Sequence, residues 1–292
     1  MRTPMNRREL LQTVGAAGVC VAVGQLLPGA AWAAPAATGA PNAERLGWRL
    51  GCQAYSFNRF SFFEAVEKTA SLGLKWIEAY PGQRISKDIQ GNIGPGMSAE
   101  AKKAVKEKLA ASGVTVINFG VTGANRAAFE FAKEMGIETI VSEPDPKELP
   151  AIDKLCEEFG IRVALHNHPK PSRYWNYEYV LEVLKDCSTR IGACADTGHW
   201  LRSELSPLEG IKALKGRIVS FHFKDLNKKG GGAHDVPWGT GVADVPALLK
   251  EIHAQQFKGV FSIEYEHNWE NSVPEIAQCV AFFDKVAAEL AK

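Results

Sequence analysis

Ala99–Glu143 reads AEAKKAVKEKLAASGVTVINFGVTGANRAAFEFAKEMGIETIVSE. Over Ala99–Ser112 the apolar residues recur three and four apart, the spacing of a helix with one face on a core. Gly113 follows, at the position where a helix commonly ends on a left-handed residue. Val114–Val121 is then rich in β-branched and apolar residues, as a buried strand requires. Asn125 stands where a cap is wanted, Arg126–Met135 repeats the helical spacing, and Gly136 leads into a second strand at Thr139–Glu143.

The same rhythm runs outward in both directions. Strands are expected at Arg49–Phe57, Lys75–Tyr80, Arg162–Asn167, Ile191–Asp196, Ile218–Lys224 and Val260–Tyr265. Helical spacing recurs at Phe62–Leu72, Lys147–Phe159, Tyr177–Asp186, Pro207–Leu214, Val245–Gln255 and Pro274–Leu290. Gly73, Gly160 and Gly259 sit between helix and strand, and Ser61, Ser98 and Asp244 occupy cap positions. Eight such units imply the α/β class and one (β/α)8 TIM barrel. A doubly wound open sheet is the alternative, but it wants a glycine-rich phosphate loop after the first strand. Cys52-Gln-Ala-Tyr-Ser-Phe57 offers none. Gly230-Gly-Gly232 comes after the seventh strand, lacks the Lys-Ser/Thr of a phosphate loop, and reads as a lid or flexible loop.

Composition agrees. The chain has 292 residues, 46% apolar and 23% charged, which excludes a disordered chain, a coiled coil and a disulfide-knotted miniprotein. Residues 1–33 read as an export signal: Arg7-Arg8, an apolar Ala/Gly-rich stretch from Val14 to Leu27, then Ala31-Trp-Ala33 for signal peptidase. The paired arginines suggest the twin-arginine route and a periplasmic destination; an ordinary secretory signal is the alternative. The segment is short and glycine-rich for a bilayer span, so no membrane anchor is expected after cleavage. Residues 34–46 read as a flexible linker and 47–292 as the catalytic barrel. Removing 33 residues from 292 leaves 259, the length of one barrel with few insertions. Net charge is +1 overall, with +2 of it in the leader, far from the basic excess of a nucleic-acid binder. Cys52, Cys156, Cys187, Cys194 and Cys279 show no C-x-x-C spacing and read mainly as buried free thiols, with one disulfide left open.

Catalytic groups in such a barrel gather at the C-terminal strand ends. Here those ends are Trp76-Ile-Glu78-Ala-Tyr80, Val141-Ser-Glu143-Pro144, Leu165-His-Asn-His168, Ala195-Asp-Thr-Gly-His199-Trp200, Phe221-His-Phe-Lys-Asp225 and Ser262-Ile-Glu-Tyr-Glu266. An acid or histidine closing an apolar strand is costly to bury unless paired or metal-bound. One is ordinarily structural; six in one chain point to a site. Glu, Asp and His from separate strands would converge on one divalent cation.

Asp196-Thr-Gly-His199, His222-Phe-Lys-Asp225, Trp238-Gly-Thr-Gly241 and Glu264-Tyr-Glu266 resemble the sugar isomerase/epimerase superfamily of xylose isomerase-like TIM barrels. The resemblance spans Leu50 to about Leu290. It implies metal ligation by Glu143, Asp196, His222 and Glu264, the first being uncertain between Glu143 and the fifth-strand histidines. The implied cofactor is one divalent ion: Mn, Mg or Co, with Zn also admissible. Glu143 and Glu264 would be the catalytic carboxylates, removing and returning a proton beside a carbonyl through an enediolate. His168, His199, Lys224, Glu78 and Trp238 would contact substrate, with ligand orientation as the other reading of Glu78 and a salt bridge as that of Lys224. Tyr174, Trp175 and Trp200 would suit stacking on a sugar ring, against plain packing. The expected partner is a small non-phosphorylated sugar or keto-sugar, with no nucleic acid; homo-oligomerisation stays open. The alternatives are a metal-dependent lyase, dehydratase or hydratase of 3-keto-sugars or keto-glycosides, and a non-catalytic sugar-binding barrel.

Overall fold

In the computed structural model, which describes residues 38–292, eight parallel strands close on themselves in chain order. They are β1 Trp48–Gln53, β2 Trp76–Ala79, β3 Thr115–Phe119, β4 Thr139–Ser142, β5 Arg162–His166, β6 Ile191–Asp196, β7 Ile218–Phe223 and β8 Gly259–Ile263. Closure pairs β8 with β1, from Gly259 opposite Trp48 to Ile263 opposite Cys52. The export signal read over 1–33, and the first residues of the linker, lie outside the described residues. Among the described residues no helix is long and apolar enough to cross a membrane.

The helices are α1 Pro41–Arg45, α2 Phe62–Ser71, α3 Ala99–Ser112, α4 Arg126–Met135, α5 Leu149–Phe159, α6 Tyr177–Val183, α7 Thr197–Arg202, α8 Pro207–Ala213, α9 Val245–Ala254 and α10 Val273–Leu290. Ser61, Ser98, Asn125 and Asp244 cap α2, α3, α4 and α9 with their side chains. Gly113, Gly136 and Gly160 end α3, α4 and α5 at φ 65, 76 and 68, a region that costs a side chain about 1–2 kcal/mol.

Two sequence expectations change here. The stretch 34–46 is a linker only in part, because Pro41–Arg45 is helical. Asp284 of α10 holds α1 in place, accepting from Asn42 N at 2.7 Å, Asn42 Nδ2 at 2.6 Å and Ala43 N at 3.1 Å. The first strand stops at Gln53, and Ala54–Phe57 forms a 3-10 turn. Gln53 Oε1 accepts from Tyr55 N at 2.6 Å, and Ser56 Oγ donates to Ile263 O at 3.0 Å, which folds the turn over β8.

Alternation along each strand divides core from site. Val163 and Leu165, Ala193 and Ala195, and Phe221 and Phe223 join the main core between barrel and helices. Val141, Ala164 and Cys194 form a separate small cluster with Val219, which has the parity of Phe221 and Phe223 but sits where β7 shifts register against β6. The five described cysteines outside the leader are all free.

Candidate metal centre

The barrel places a site by continuing that alternation. His166 lies two residues beyond Ala164, Asp196 two beyond Cys194, and His222 two beyond Ser220, so each shares a face with the residue below. Glu264 follows directly after β8. One ligand atom from each of His166, Asp196, His222 and Glu264 lies within 4.8 Å of the others, and all four residues are buried.

Glu143, the fourth-strand ligand expected from the sequence, falls in a second candidate group with His166 and His168 rather than in this foursome. His166 completes the foursome, and Glu143 stands behind it with Oε1 2.9 Å from His166 Nδ1. Glu143 also accepts from His168 N at 3.2 Å and meets His168 Nδ1. β4 pairs with β5 only as far as Ser142, so Glu143 leaves the strand beside the top of β5.

Two buried ring nitrogens in the foursome, His166 Nε2 and His222 Nδ1, have no hydrogen-bond partner among the described residues. They lie 3.5 Å from Asp196 Oδ2 and 3.0 Å from Glu264 Oε2, without the alignment of a hydrogen bond. A ligating histidine presents one nitrogen to the ion and gives the other N–H to a carboxylate. That pattern occurs twice. Glu143 backs His166, and Glu78 backs His222 with Oε1 2.8 Å from Nε2. Glu78 is itself fixed by Ser262 Oγ at 2.6 Å and Asn118 Nδ2 at 3.2 Å. Two imidazoles and two carboxylates suit a divalent ion of the Mn, Co or Zn type, and the residues fit it.

Local structure prepares Asp196 for this role. Its Oδ1 caps α7 by accepting from His199 N at 2.7 Å, which leaves Oδ2 facing the foursome. Asn167 clamps its backbone from β5, donating to Asp196 O at 3.0 Å and accepting from Asp196 N at 2.8 Å. The buried Lys224 ammonium touches both Asp196 Oδ2 and Glu264 Oε2.

Burial alone would raise the Glu143 carboxyl, but hydrogen bonds from His166 and His168 outweigh it and bring it to about 2. Burial opposes a proton on His166, yet Asp196 and Glu143 lift it to about 9. For His222 burial again opposes the proton, and Cys194, Glu78 and Glu264 prevail upward. Burial drives His199 down against the pull of Asp196, so its ring is neutral. Arg202 can only donate, and its Nη1 sits 3.0 Å from His199 Nδ1. The His199 proton is therefore on Nε2, 3.5 Å from Asp196 Oδ2.

Above the foursome lies a cavity of about 290 Å³ whose lining includes Gln53, Tyr55, Tyr80, His168, Glu264 and Glu266. Tyr55 is 39% exposed and meets Tyr80 and Trp269 edge-to-face at 5.2 and 5.8 Å between ring centres. This aromatic wall replaces the one expected from Tyr174, Trp175 and Trp200. Tyr174 and Trp200 are buried, and Trp175 lies under the Lys170 ammonium at 4.1 Å. Trp238 likewise does not reach the cavity: it is 2% exposed and packs on Phe223 and Phe283 at 4.9 and 5.7 Å. Its loop is pulled inward by Asp225, which accepts from the amides of Gly239, Gly241 and Ala243. Glu78 is enclosed, so it orients His222 rather than meeting substrate. Lys224 pairs with Asp196 and Glu264, not with Asp225 or Glu266. His199 is buried beside Asp196, and His168, 48% exposed at its side chain, opens to the cavity.

The sequence reading passed over Gln53, Tyr55, Tyr80 and Glu266 as lining residues. Tyr80 and Glu266 stood in the strand-end segments and were findable there. Arg202, which holds Glu266 and lies 3.1 Å from Asp235 Oδ2, carries no local signal. The ligand atoms come from β5 to β8 and their ends, whereas Gln53, Tyr55, Glu78, Tyr80, Val121 and Glu143 come from β1 to β4 and their ends.

A family described as xylose isomerase-like TIM barrel matches residues 66–285. The chain belongs to that family. Among solved structures, an uncharacterised protein of Parabacteroides distasonis is 30% identical, with TM-score 0.67 over 82% of this chain and 99% of its own. A D-tagatose 3-epimerase-like protein is 18% identical, with TM-score 0.65 over 82% and 98%. A xylose isomerase-like TIM barrel protein of Mycobacterium smegmatis, in complex with magnesium, is 12% identical, with TM-score 0.66 over 84% and 98%. Identities of 18% and 12% show the shared fold alone. None of the curated proteins matches this chain.

Proposed function

We propose that this family member is a divalent-metal-dependent sugar isomerase or epimerase that removes a proton beside the carbonyl of a non-phosphorylated keto-sugar. The observation that carries the reading is the pair of unpartnered nitrogens, His166 Nε2 and His222 Nδ1, each backed by a carboxylate and each facing a carboxylate. An ion held by His166, Asp196, His222 and Glu264 would polarise a carbonyl and favour negative charge on its oxygen.

The chain's own groups supply the rest. Glu264 lines the cavity and is held ionised: burial opposes this, but Lys224 and His222 prevail. Its carboxylate is the group that takes the proton, the C–H electron pair passing into the carbon–carbon bond of an enediolate. His168 lines the same cavity, with Glu143 beside its Nδ1, and is the second group offered for the proton transfer. Glu143 thus acts through His168, and the two carboxylates of the sequence reading become one carboxylate and one carboxylate-backed imidazole. Tyr55 and Tyr80 line the cavity and offer an aromatic wall to a sugar ring, with Trp269 packed against Tyr55.

The test is deuterium uptake from D2O into a panel of free keto-sugars, with Mn2+ and with EDTA. Uptake that requires the metal is expected. A panel with no uptake, in a protein that binds no metal, overturns the reading. The leader read over 1–33 supports a substrate met outside the cytoplasm. N-terminal sequencing of the mature protein checks this, with Ala34 expected as the first residue.

A further inference from the structure

We infer that Lys224 sets how tightly the metal centre holds its ion: the ammonium shares two ligand oxygens with a bound cation and keeps that cation exchangeable. The inference rests on the metal-binding part of the function proposed above. Lys224 is fully buried and is not among the residues lining the inner cavity, so it is a positioning residue that acts through Asp196 and Glu264.

The sharing follows from which oxygens are free. Asp196 Oδ1 is committed to the cap of α7, accepting from His199 N at 2.7 Å, so Oδ2 is the oxygen left for a metal. Turning the carboxylate to offer Oδ1 would leave that first turn uncapped. Oδ2 is the atom that the Lys224 ammonium touches, and it lies 3.5 Å from His166 Nε2. Across the foursome the ammonium touches Glu264 Oε2, the oxygen 3.0 Å from His222 Nδ1. The lysine thus meets the same two oxygens that face the two ligating imidazoles.

A fitted channel delivers it there. Thr197 Oγ1 accepts from Lys224 N and donates to Lys224 O, both at 2.8 Å, which fixes the backbone from which the stem rises. A methyl group at Gly198 would lie 2.6 Å from Lys224 Cδ and 2.8 Å from Lys224 Cβ. The stem passes because the second residue of α7 is glycine, a poor helix former whose empty side is filled by the lysine. Both residues between Asp196 and His199, other than the two site groups themselves, therefore serve Lys224.

Electrostatics gives the sign. Two carboxylates in contact keep the ammonium charged, and a divalent ion on the same oxygens meets that charge in a buried centre, where like charges repel strongly. Removing the charge should tighten the hold on the ion. A lysine that merely aligned the carboxylates would act in the opposite direction, because its loss would leave the ligands misplaced.

The experiment is calorimetric titration of Mn2+ into the full chain as wild type, Lys224→Met and Lys224→Gln, with thermal melts and the rate of Mn2+ loss into excess EDTA. Methionine removes both charge and hydrogen bonds, whereas glutamine removes the charge and keeps a donor. Both variants are expected to bind Mn2+ about tenfold or more tightly than wild type and to release it more slowly. Their melting temperatures should gain more from Mn2+ than that of wild type. Affinity unchanged in both variants overturns the inference, and so does weaker binding by Lys224→Met that Lys224→Gln restores, which identifies a clamp. Where neither variant folds, wild type decides: the 1H–15N signal of the Lys224 ammonium is expected to shift as Zn2+ is added, and a signal indifferent to Zn2+ overturns the inference. Mn2+ bound by none of the three proteins overturns the metal reading and this inference together. Tighter binding by the variants without deuterium uptake into any keto-sugar leaves this inference standing and removes the proton-abstraction reading.

Discussion

Histidine orientation is the finest level at which this site is built. Glu78 touches no open space, yet it fixes the tautomer of His222 by accepting from Nε2 and turning Nδ1 inward. Glu78→Gln should therefore weaken Mn2+ binding by about 10–100-fold, measured by calorimetry, although no ligand is removed. Glu143 gives a second test with a defined sign. Its carboxyl is held at about 2 in the fold against 4.5 ordinarily, so its stabilisation is complete above 4.5 and is lost as pH falls toward 2. Glu143→Gln should cost on the order of 1–3 kcal/mol at pH 7, with the gap to wild type closing across that acid window in urea melts. Asp196, His222 and Glu264 were legible because each is an ionisable group closing an apolar strand. The first ligand was not. Glu143 and His166 both meet that criterion, and the choice between them turns on where β4 ceases to pair with β5, which no single strand records.

Elements were legible where local chemistry decides them. The caps Ser61, Ser98, Asn125 and Asp244, and the glycines ending α3, α4 and α5, fall where the sequence puts them. Elements fixed by a distant partner were not. Pro41–Arg45 has a linker's composition, and its helix depends on Asp284 more than two hundred residues away. The sequence sets Trp238 against substrate, but one buried carboxylate ties three amides of its loop and draws it inward. Asp225→Ala leaves those three amides without their acceptor. The expected loss is on the order of 3 kcal/mol, with Trp238 becoming accessible to acrylamide quenching. A variant whose Trp238 stays shielded would show that aromatic packing alone holds the loop.

At the scale of the whole molecule the barrel follows from eight repeats of one unit, and repetition made it readable despite uncertain strand ends. A metal bound as proposed would link fold to site. An ion held by four strands is present only in the native state, so saturation at a hundred times Kd should stabilise by about 2.7 kcal/mol, and EDTA should lower the melting temperature correspondingly. Uptake should also strengthen as pH rises toward about 9, because His166 carries a proton below that value in the metal-free protein and must lose it to ligate. Titrations in buffers of different ionisation enthalpy would read the released protons. The ligands come from β5 to β8, while the cavity wall at Gln53, Tyr55, Tyr80 and Val121 comes from β1 to β3 and their ends. On the proposed function, part of what selects the sugar is therefore encoded apart from the ligands, with His168, Glu264 and Glu266 completing the wall from β5 and β8 and Glu78 and Glu143 backing the histidines from β2 and β4. A chimera that takes residues 48–160 from another family member, with Glu78 and Glu143 kept, should shift toward the donor's choice of sugar while still binding Mn2+ in calorimetry.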